Sequence, residues 1–298
     1  MKGSRKTKRK LYYSSKFGNN KRGEDMKNII VVTGASSGLG REFVRQLDDY
    51  GADEIWGIAR DEGMQEEIQN ELKTKFKYFA WDLTVEENFD EYVKKLKTAK
   101  ANVVMLVNCS GFGKFGRYDE IKVDASANMI DLNCKALVKM TELTLPFMNE
   151  GARILQIASV AGFQPIPYIG VYGATKAFVL SYSRAINQEL KPRKISVSCI
   201  CPFWTKTKFF DRAKVTEHEV VTKYVAMYKS DKVVKYSLKK AMKRKEVIIP
   251  GFIARSQVRM VKMIPLSATM RIWLRQQKLN KKYKNKPINN SINAKTQK

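Results

Sequence analysis

Tyr172 and Lys176 stand four residues apart at the start of a predicted helix, a spacing that puts a phenol and an ammonium on one helix face. A cation beside a phenol favours the phenolate and draws its pKa from about 10 toward a range useful for proton transfer near neutrality. Taken alone, Y-x-x-x-K is also the spacing of an amphipathic pair on a solvated face. A second stretch with chemistry in it is Asn28 to Gly40, NIIVVTGASSGLG. Its β-branched run reads as a strand buried on both faces, which enters a loop carrying Gly34, Ser36, Ser37 and Gly38 before Leu39 and Gly40 open a helix. Free backbone N–H groups and the positive end of a helix dipole meet there, which suits a pyrophosphate. The spacing is G-x-x-x-G-x-G rather than G-x-G-x-x-G, and Arg41 stands where a P-loop would need its lysine, so a dinucleotide is the expected ligand. A tight strand-to-helix turn without a ligand is the competing reading of that motif by itself.

Positioning these residues requires a regular frame, and the pattern supplies one. Strands are predicted near 29–32, 54–59, 76–81, 102–108, 153–158, 195–200 and 246–249, with helices near 39–50, 63–74, 86–99, 124–148 and 172–190 between them. Alternation of this kind makes right-handed βαβ units: an α/β fold with a doubly wound, Rossmann-like parallel sheet of about seven strands and helices on both faces. Ligands of such sheets sit beyond the carboxyl ends of the strands. The strand ends here read Ala59-Arg60, Trp81-Asp82-Leu83, Asn108-Cys109-Ser110-Gly111 and Ala158-Ser159. Arg60 takes the place where a carboxylate would hold the adenosine ribose, and a guanidinium there suits a 2′-phosphate. NADP(H) is therefore the preferred cofactor and NAD(H) the alternative, with Asp61 as a competing surface partner for Arg60.

The net charge of +27 is unevenly spread. Residues 1–25 hold nine basic against two acidic residues, residues 206–252 thirteen against five, and residues 253–298 twelve against none, while 26–205 are neutral. The neutral part carries the motifs, so the basic character can attract phosphates or anionic lipid without touching the fold. It can also simply keep the protein soluble. Residues 1–25 lack an apolar signal core and read as a disordered basic tail, with Met26 marking the expected start of the folded unit. Four cysteines, Cys109, Cys134, Cys199 and Cys201, fall in apolar segments without metal-ligand spacing, and the single histidine, His218, lies in a polar stretch. Reduced thiols, no metal site and no histidine-based triad are expected.

Together these residues resemble the short-chain dehydrogenase/reductase superfamily over about 27–250. The matching motifs are T33-G-A-S-S-G-L-G40, Asp82, N108-C-S-G111, Asn133 in the long helix, Ser159, and Y172-G-A-T-K176, thirteen residues after Ser159. The resemblance implies an enzyme that moves a hydride between a nicotinamide cofactor and a carbonyl or alcohol substrate. It implies Tyr172 as general acid/base, Ser159 as hydrogen-bond donor to the substrate carbonyl, Lys176 on the nicotinamide ribose, and Asn133 holding a relay water. Cofactor contacts would come from Gly34, Ser36, Ser37, Gly38, Leu39, Gly40, Arg60, Asp82, Leu83, Asn108, Ser110, Gly111, Tyr172, Lys176, Pro202, Thr205 and Thr207. The family's usual Pro-Gly after the sixth strand is here Pro202-Phe203, and Phe203 and Trp204 are expected in the substrate pocket.

One catalytic domain over 26–252 follows, with 206–245 as its variable substrate-binding segment, 253–279 as a basic amphipathic segment and 280–298 as a disordered tail. The amphipathic segment either packs on the domain or a second subunit, or lies on an anionic bilayer, since no run reaches the about 20 apolar residues of a span. The resemblance further implies a cytoplasmic homo-oligomer, dimer or tetramer, acting on a small and lipid-like or acyl substrate, with peripheral membrane contact as the open alternative. A non-catalytic dinucleotide-binding regulator is the rival reading, which has no need of the Tyr172–Lys176 pair. No nucleic-acid recognition motif accompanies the charge.

Overall fold

The computed structural model describes residues 26–215 and 220–283. His218, the tail 1–25 and most of the tail 280–298 lie outside these residues. The first strand explains the rest of the architecture. In β1 (Lys27–Thr33), Ile30 and Val32 join one apolar core while Ile29 and Val31 join another on the opposite face. Both faces must therefore be covered, which a parallel sheet between two helical layers achieves.

The sheet comprises β1, β2 (Glu54–Ala59), β3 (Lys75–Ala80), β4 (Ala101–Asn108), β5 (Arg153–Ile157), β6 (Ser196–Ile200) and a late edge strand, Val247–Ile248. Its order is β3-β2-β1-β4-β5-β6 followed by that edge strand, and every pairing is parallel. The order reverses between β1 and β4, which opens a crevice at their carboxyl ends. One face is covered by α1 (Gly38–Leu47), α2 (Met64–Gln69) and, later in the chain, Ser230–Ala241. The other is covered by α3 (Glu87–Thr98), α4 (Val123–Ile130), α5 (Ala136–Thr144) and α6 (Gly170–Glu189), which bury Phe89, Tyr92, Met140 and Ile186.

The continuous helix expected over 124–148 is interrupted. A π-helical turn, Asp131–Lys135, separates α4 from α5 and carries Asn133. Such single turns commonly mark functional positions, because they re-aim one side chain without ending the helix.

The segment 206–245 divides in two. Its first part contains β7 (Thr205–Lys206), α7 (Phe209–Ala213) and β8 (Tyr228–Lys229), with β7 and β8 forming a separate two-stranded sheet. Its second part is α8 (Ser230–Ala241), whose Val233, Val234, Leu238 and Ala241 are buried, and this helix belongs to the sheet's covering layer rather than to a substrate loop. After the edge strand β9 (Val247–Ile248), the chain turns at Gly251, where φ is +96° and a Cβ would lie 2.3 Å from the Tyr228 ring.

The C-terminal segment folds as α9 (Phe252–Met263), α10 (Leu266–Gln276) and α11 (Leu279–Tyr283). Ala254, Val258 and Val261 of α9, Trp273 of α10, and Leu279 and Tyr283 of α11 are buried. Trp273 Nε1 donates to Pro167 O at 3.0 Å, Tyr283 OH donates to Glu120 Oε2 at 2.9 Å, and Gln277 Oε1 accepts from the Thr222 and Lys223 amides at 3.0 Å each. The described order thus extends past residue 279 through Tyr283, against the disorder expected from 280; residues 284–298 lie outside the described residues. Among the described residues no helix is long and apolar enough to cross a membrane, and no cluster of side chains could hold a metal ion.

Candidate active site

The Gly-rich turn between β1 and α1 is held by close backbone approach. Gly34 (φ +69°) donates its N–H to Ile58 O at 2.7 Å, and a Cβ on it would lie 3.1 Å from the backbone of Cys109 and Ser110. At Gly40 a Cβ would fall 2.0 Å from Gly34 O, so only glycine lets the helix start press against the turn. Ser37, at the N-cap, has extended backbone and makes no side-chain cap, leaving the first N–H groups of α1 directed at the crevice. Thr33 Oγ1 accepts from the amides of Cys109 and Ser110 at 3.0 Å, tying the ends of β1 and β4 together. This cradle fits the pyrophosphate of a dinucleotide.

At its outer end Arg60 lies 3.8 Å from Asp82, not from Asp61. Asp61 instead accepts a 2.5 Å hydrogen bond from Ser36 Oγ and stands 4.0 Å from Arg212 of α7. Each of the two guanidiniums at this end thus stands near a carboxylate of its own, Arg60 near Asp82 and Arg212 near Asp61. Asp82 also accepts from the Thr84 amide and hydroxyl at 2.9 and 2.8 Å, which fixes the loop after β3.

Ser159, Tyr172 and Lys176 meet where the ends of β5 and β6 face the start of α6. The Ser159 hydroxyl accepts from the Ala161 amide at 3.1 Å and donates to Pro202 O at 3.5 Å. Tyr172 packs edge-on against Phe115 and tilted against Phe209, with ring centroids at 5.9 and 5.5 Å. Burial among these rings pushes its phenol up to about 12, against the smaller downward pull of the Ser159 bond. Lys176 is buried, and desolvation lowers its pKa; its Nζ donates to Ile157 O at 2.9 Å and lies 5.7 Å from the Tyr172 ring centroid. The shift runs opposite to the lowering expected from the sequence, with desolvation its largest cause.

Asn133 is buried in the π turn. Its Nδ2 donates to Phe112 O at 2.8 Å and Thr175 Oγ1 at 3.1 Å, and its Oδ1 accepts from the Phe112 amide at 3.0 Å. Both Nδ2 donors are taken by protein partners, which ties Asn133 to the Phe112 backbone and to Thr175 of α6, while Oδ1 retains a second lone pair. Gly111 fits between Asn133 and Lys176: a Cβ there would lie 2.8 Å from Asn133 Oδ1 and 3.4 Å from Lys176 Nζ. Asn108 is also turned away from the crevice, its Nδ2 donating to Thr141 Oγ1 and Gln156 Oε1 at 3.0 Å. It braces β4, β5 and α5 rather than lining the site.

The remaining sequence candidates line one cavity of about 570 Å³: the residues of the Gly-rich turn, Arg60, Asp82, Leu83, Ser110, Gly111, Ser159, Tyr172, Lys176, Pro202, Thr205 and Thr207. The loop after β6 is pinned there by Val160 N donating to Pro202 O at 3.0 Å, and Thr207 stands 3.5 Å from where a Gly38 Cβ would be. Phe203 and Trp204 line the cavity as anticipated. Sequence reasoning missed Arg212, Phe112, Phe115 and Phe209, and above all the wall built by α9 and α10, including Ile264 and Trp273. The apolar spacing in 253–274 was the available signal for that wall.

A model of the short chain dehydrogenase family matches residues 28–218. The chain belongs to this family. Within it, an uncharacterized oxidoreductase of Staphylococcus epidermidis is 32% identical over 176 residues, covering 58% of this chain and 76% of that protein. The very-long-chain 3-oxoacyl-CoA reductase of Rattus norvegicus is 31% identical over 194 residues, covering 62% of each, so the chain spans less than two thirds of that reductase's length. Among solved structures, a short-chain dehydrogenase from Sphingobium yanoikuyae in complex with NADPH superposes with a TM-score of 0.66 at 26% identity, covering 79% of this chain and 95% of that one. The seven-stranded parallel sheet with helices on both sides is the fold this dehydrogenase family uses.

Proposed function

We propose that the protein is an NADP(H)-dependent reductase of a carbonyl carried on an apolar, acyl-type substrate. The observation that carries this reading is the convergence of Ser159, Tyr172 and Lys176 on the floor of a cavity whose far walls are aromatic and aliphatic. The resemblance to the rat 3-oxoacyl-CoA reductase and to a structure holding NADPH supports both the substrate class and the cofactor.

In this reading the amides at the start of α1 hold the pyrophosphate, and Arg60 with Arg212 neutralises a 2′-phosphate against the opposing charges of Asp82 and Asp61. Lys176, held by Ile157 O, presents its ammonium to the ribose hydroxyls. When bound, the cofactor supplies the hydride. Ser159 donates a hydrogen bond to the substrate carbonyl oxygen, and Tyr172 delivers the proton that the reduced oxygen requires. A phenol with its pKa near 12 is reliably protonated at neutral pH, which suits the reductive direction. Phe112, Phe115 and Phe209 exclude water around the transfer. Asn133 positions Gly111 and thereby Lys176.

The finer parts of the reading are a folded unit running from Met26 to Tyr283, assembly as a dimer or tetramer, and peripheral contact with an anionic membrane. A mere dinucleotide-binding regulator on this fold would have no use for the acid/base pair. A screen of 3-oxoacyl thioesters and simpler ketones, following NADPH absorbance, tests the reading. NADPH consumption that grows with acyl length is the expected result, and no consumption with any carbonyl would overturn it.

A further inference from the structure

No Asp or Glu occurs between Glu246 and the end of the chain, whereas residues 253–283 contain eight Lys and Arg. On α9 and α10 the inward faces are accounted for by Ala254, Val258, Val261 and Trp273. The outward side carries large apolar residues as well: Phe252 is 73% exposed, Met263 84% and Leu266 50%. Met263 and Leu266 flank the Ile264–Pro265 corner between the two helices. Arg255 and Lys262 are engaged locally, Arg255 with Tyr236 OH and Ile249 O, Lys262 over the Phe163 ring. Arg259, Arg271, Arg275 and Lys278 are exposed around the apolar residues. A second observation concerns the cavity. Ile253, Met260 and Ile272 line it and are each 41–50% exposed, so α9 and α10 contribute accessible apolar surface to the cavity as well as to their outer side.

We propose that the α9–α10 corner seats on an anionic lipid surface and forms the mouth of the cavity, so that an acyl chain passes from the bilayer to Tyr172 without crossing water. The proposal rests on the reading of the cavity as an acyl-carbonyl site. Charge selects the occupant. A second copy of this face would set Arg259, Arg271, Arg275 and Lys278 against the same four cations with no acid from the segment to pair them, which disfavours a self-complementary contact. An anionic bilayer supplies both the apolar phase for Phe252, Met263 and Leu266 and the negative headgroups for the arginines. Packing and lipid contact, alternatives from the sequence, are served by opposite faces of the same helices. Removing the segment would open the cavity and is therefore not a clean test of the surface.

The full-length protein is mixed with phosphatidylcholine vesicles, with and without phosphatidylserine, each containing a trace fatty acid with a photoreactive group at its chain end. Co-sedimentation reports docking, and mass spectrometry of the photolabelled protein reports entry. The comparison variant is Phe252→Glu with Met263→Glu, two residues outside the cavity lining; Arg259→Gln with Arg271→Gln serves should the first pair fail to fold, and NADPH affinity and melting temperature verify folding. The wild type is expected to sediment with the phosphatidylserine vesicles only, to be released by salt, and to be labelled inside the cavity at Ile264 or Trp273. Either variant is expected to bind roughly tenfold or more weakly and to lose the internal label in parallel. Absence of sedimentation at low salt, equal binding by variant and wild type, or label confined to the outer face overturns the proposal. Retention on polyglutamate beads without vesicle binding would assign the face to an acidic protein and overturn it too. None of these readouts requires reduction, so failure of the acyl-carbonyl reading would show separately, as labelling without turnover.

Discussion

Replacing Trp273 by alanine should cost the protein about 4 kcal/mol, and the size of that loss decides whether the C-terminal helices belong to the folded unit. The indole is 9% exposed and sits among Ile166, Ile169, Phe115 and Leu279. Burying about 200 Å² of aromatic surface at about 25 cal/mol per Å² stabilises by about 5 kcal/mol gross, within the range seen when buried tryptophans are truncated. Trp273→Phe keeps most of the ring but removes the 3.0 Å bond to Pro167 O, leaving an unpartnered carbonyl at a cost of about 1–2 kcal/mol. For a domain of this size each kcal/mol moves the melting temperature by about 2–4 °C, so alanine should lower it by roughly 8–16 °C and phenylalanine by roughly 2–8 °C. The neighbouring half-exposed Ile272 is the control, with Ile272→Ala expected within about 1 kcal/mol of wild type. Thermal unfolding followed by circular dichroism gives the numbers. If both Trp273 variants melt within about 1 °C of wild type, the segment is an appendage and the cavity wall assigned to α10 is wrong.

Asp61→Asn should tighten NADPH binding roughly three- to tenfold, because it removes the one carboxylate between Ser36 and Arg212, whereas Arg60→Asp should weaken NADPH and favour NADH. Titration by cofactor fluorescence checks both, and a wild type that already prefers NADH refutes the assignment. Because burial holds the Tyr172 phenol up at about 12, the reductive rate should stay flat through neutral and moderately alkaline pH while the reverse oxidation keeps rising. A fall in reductive kcat centred near neutrality would contradict that. Burial pushes the Glu54 carboxyl up, but hydrogen bonds from Trp56 and Lys77 hold it at about 2, so its contribution is present above the unfolded carboxylate pKa and is lost as pH falls through about 2. Glu54→Gln leaves Lys27, Lys75 and Lys77 without their shared partner and should cost about 1–3 kcal/mol at pH 7, a difference that shrinks in acid.

Much of the site was legible because its signals are local. The β1 run and Gly34-to-Gly40 turn declare themselves, since a strand buried on both faces allows few residue types and a helix start where a Cβ would fall 2.0 Å from a carbonyl oxygen allows only glycine. What escaped depends on contacts distant in sequence or on one-residue irregularities. The π turn at Asn133 leaves the apolar spacing of 124–148 almost unchanged, so a single smooth helix was read there. The helix Ser230–Ala241 was hidden among lysines whose stems cover its exposed face, and it was read as part of a variable segment. Tyr172 was expected to be acidified by the lysine four residues on, but its environment is set by Phe115 and Phe209, which the linear pattern cannot place beside it. The helices α9 and α10 carry apolar residues on two faces, and a sequence does not say which face meets the protein.

The central claim is that Tyr172 supplies the proton for carbonyl reduction at the floor of this cavity. Turnover of the best 3-oxoacyl substrate by Tyr172→Phe, with NADPH affinity and melting temperature measured on the same preparation, tests it most directly. The account predicts a fall of about 10²- to 10⁴-fold in kcat with cofactor affinity within about twofold of wild type. Turnover within a few-fold of wild type, in a variant that still folds and binds NADPH, would contradict it.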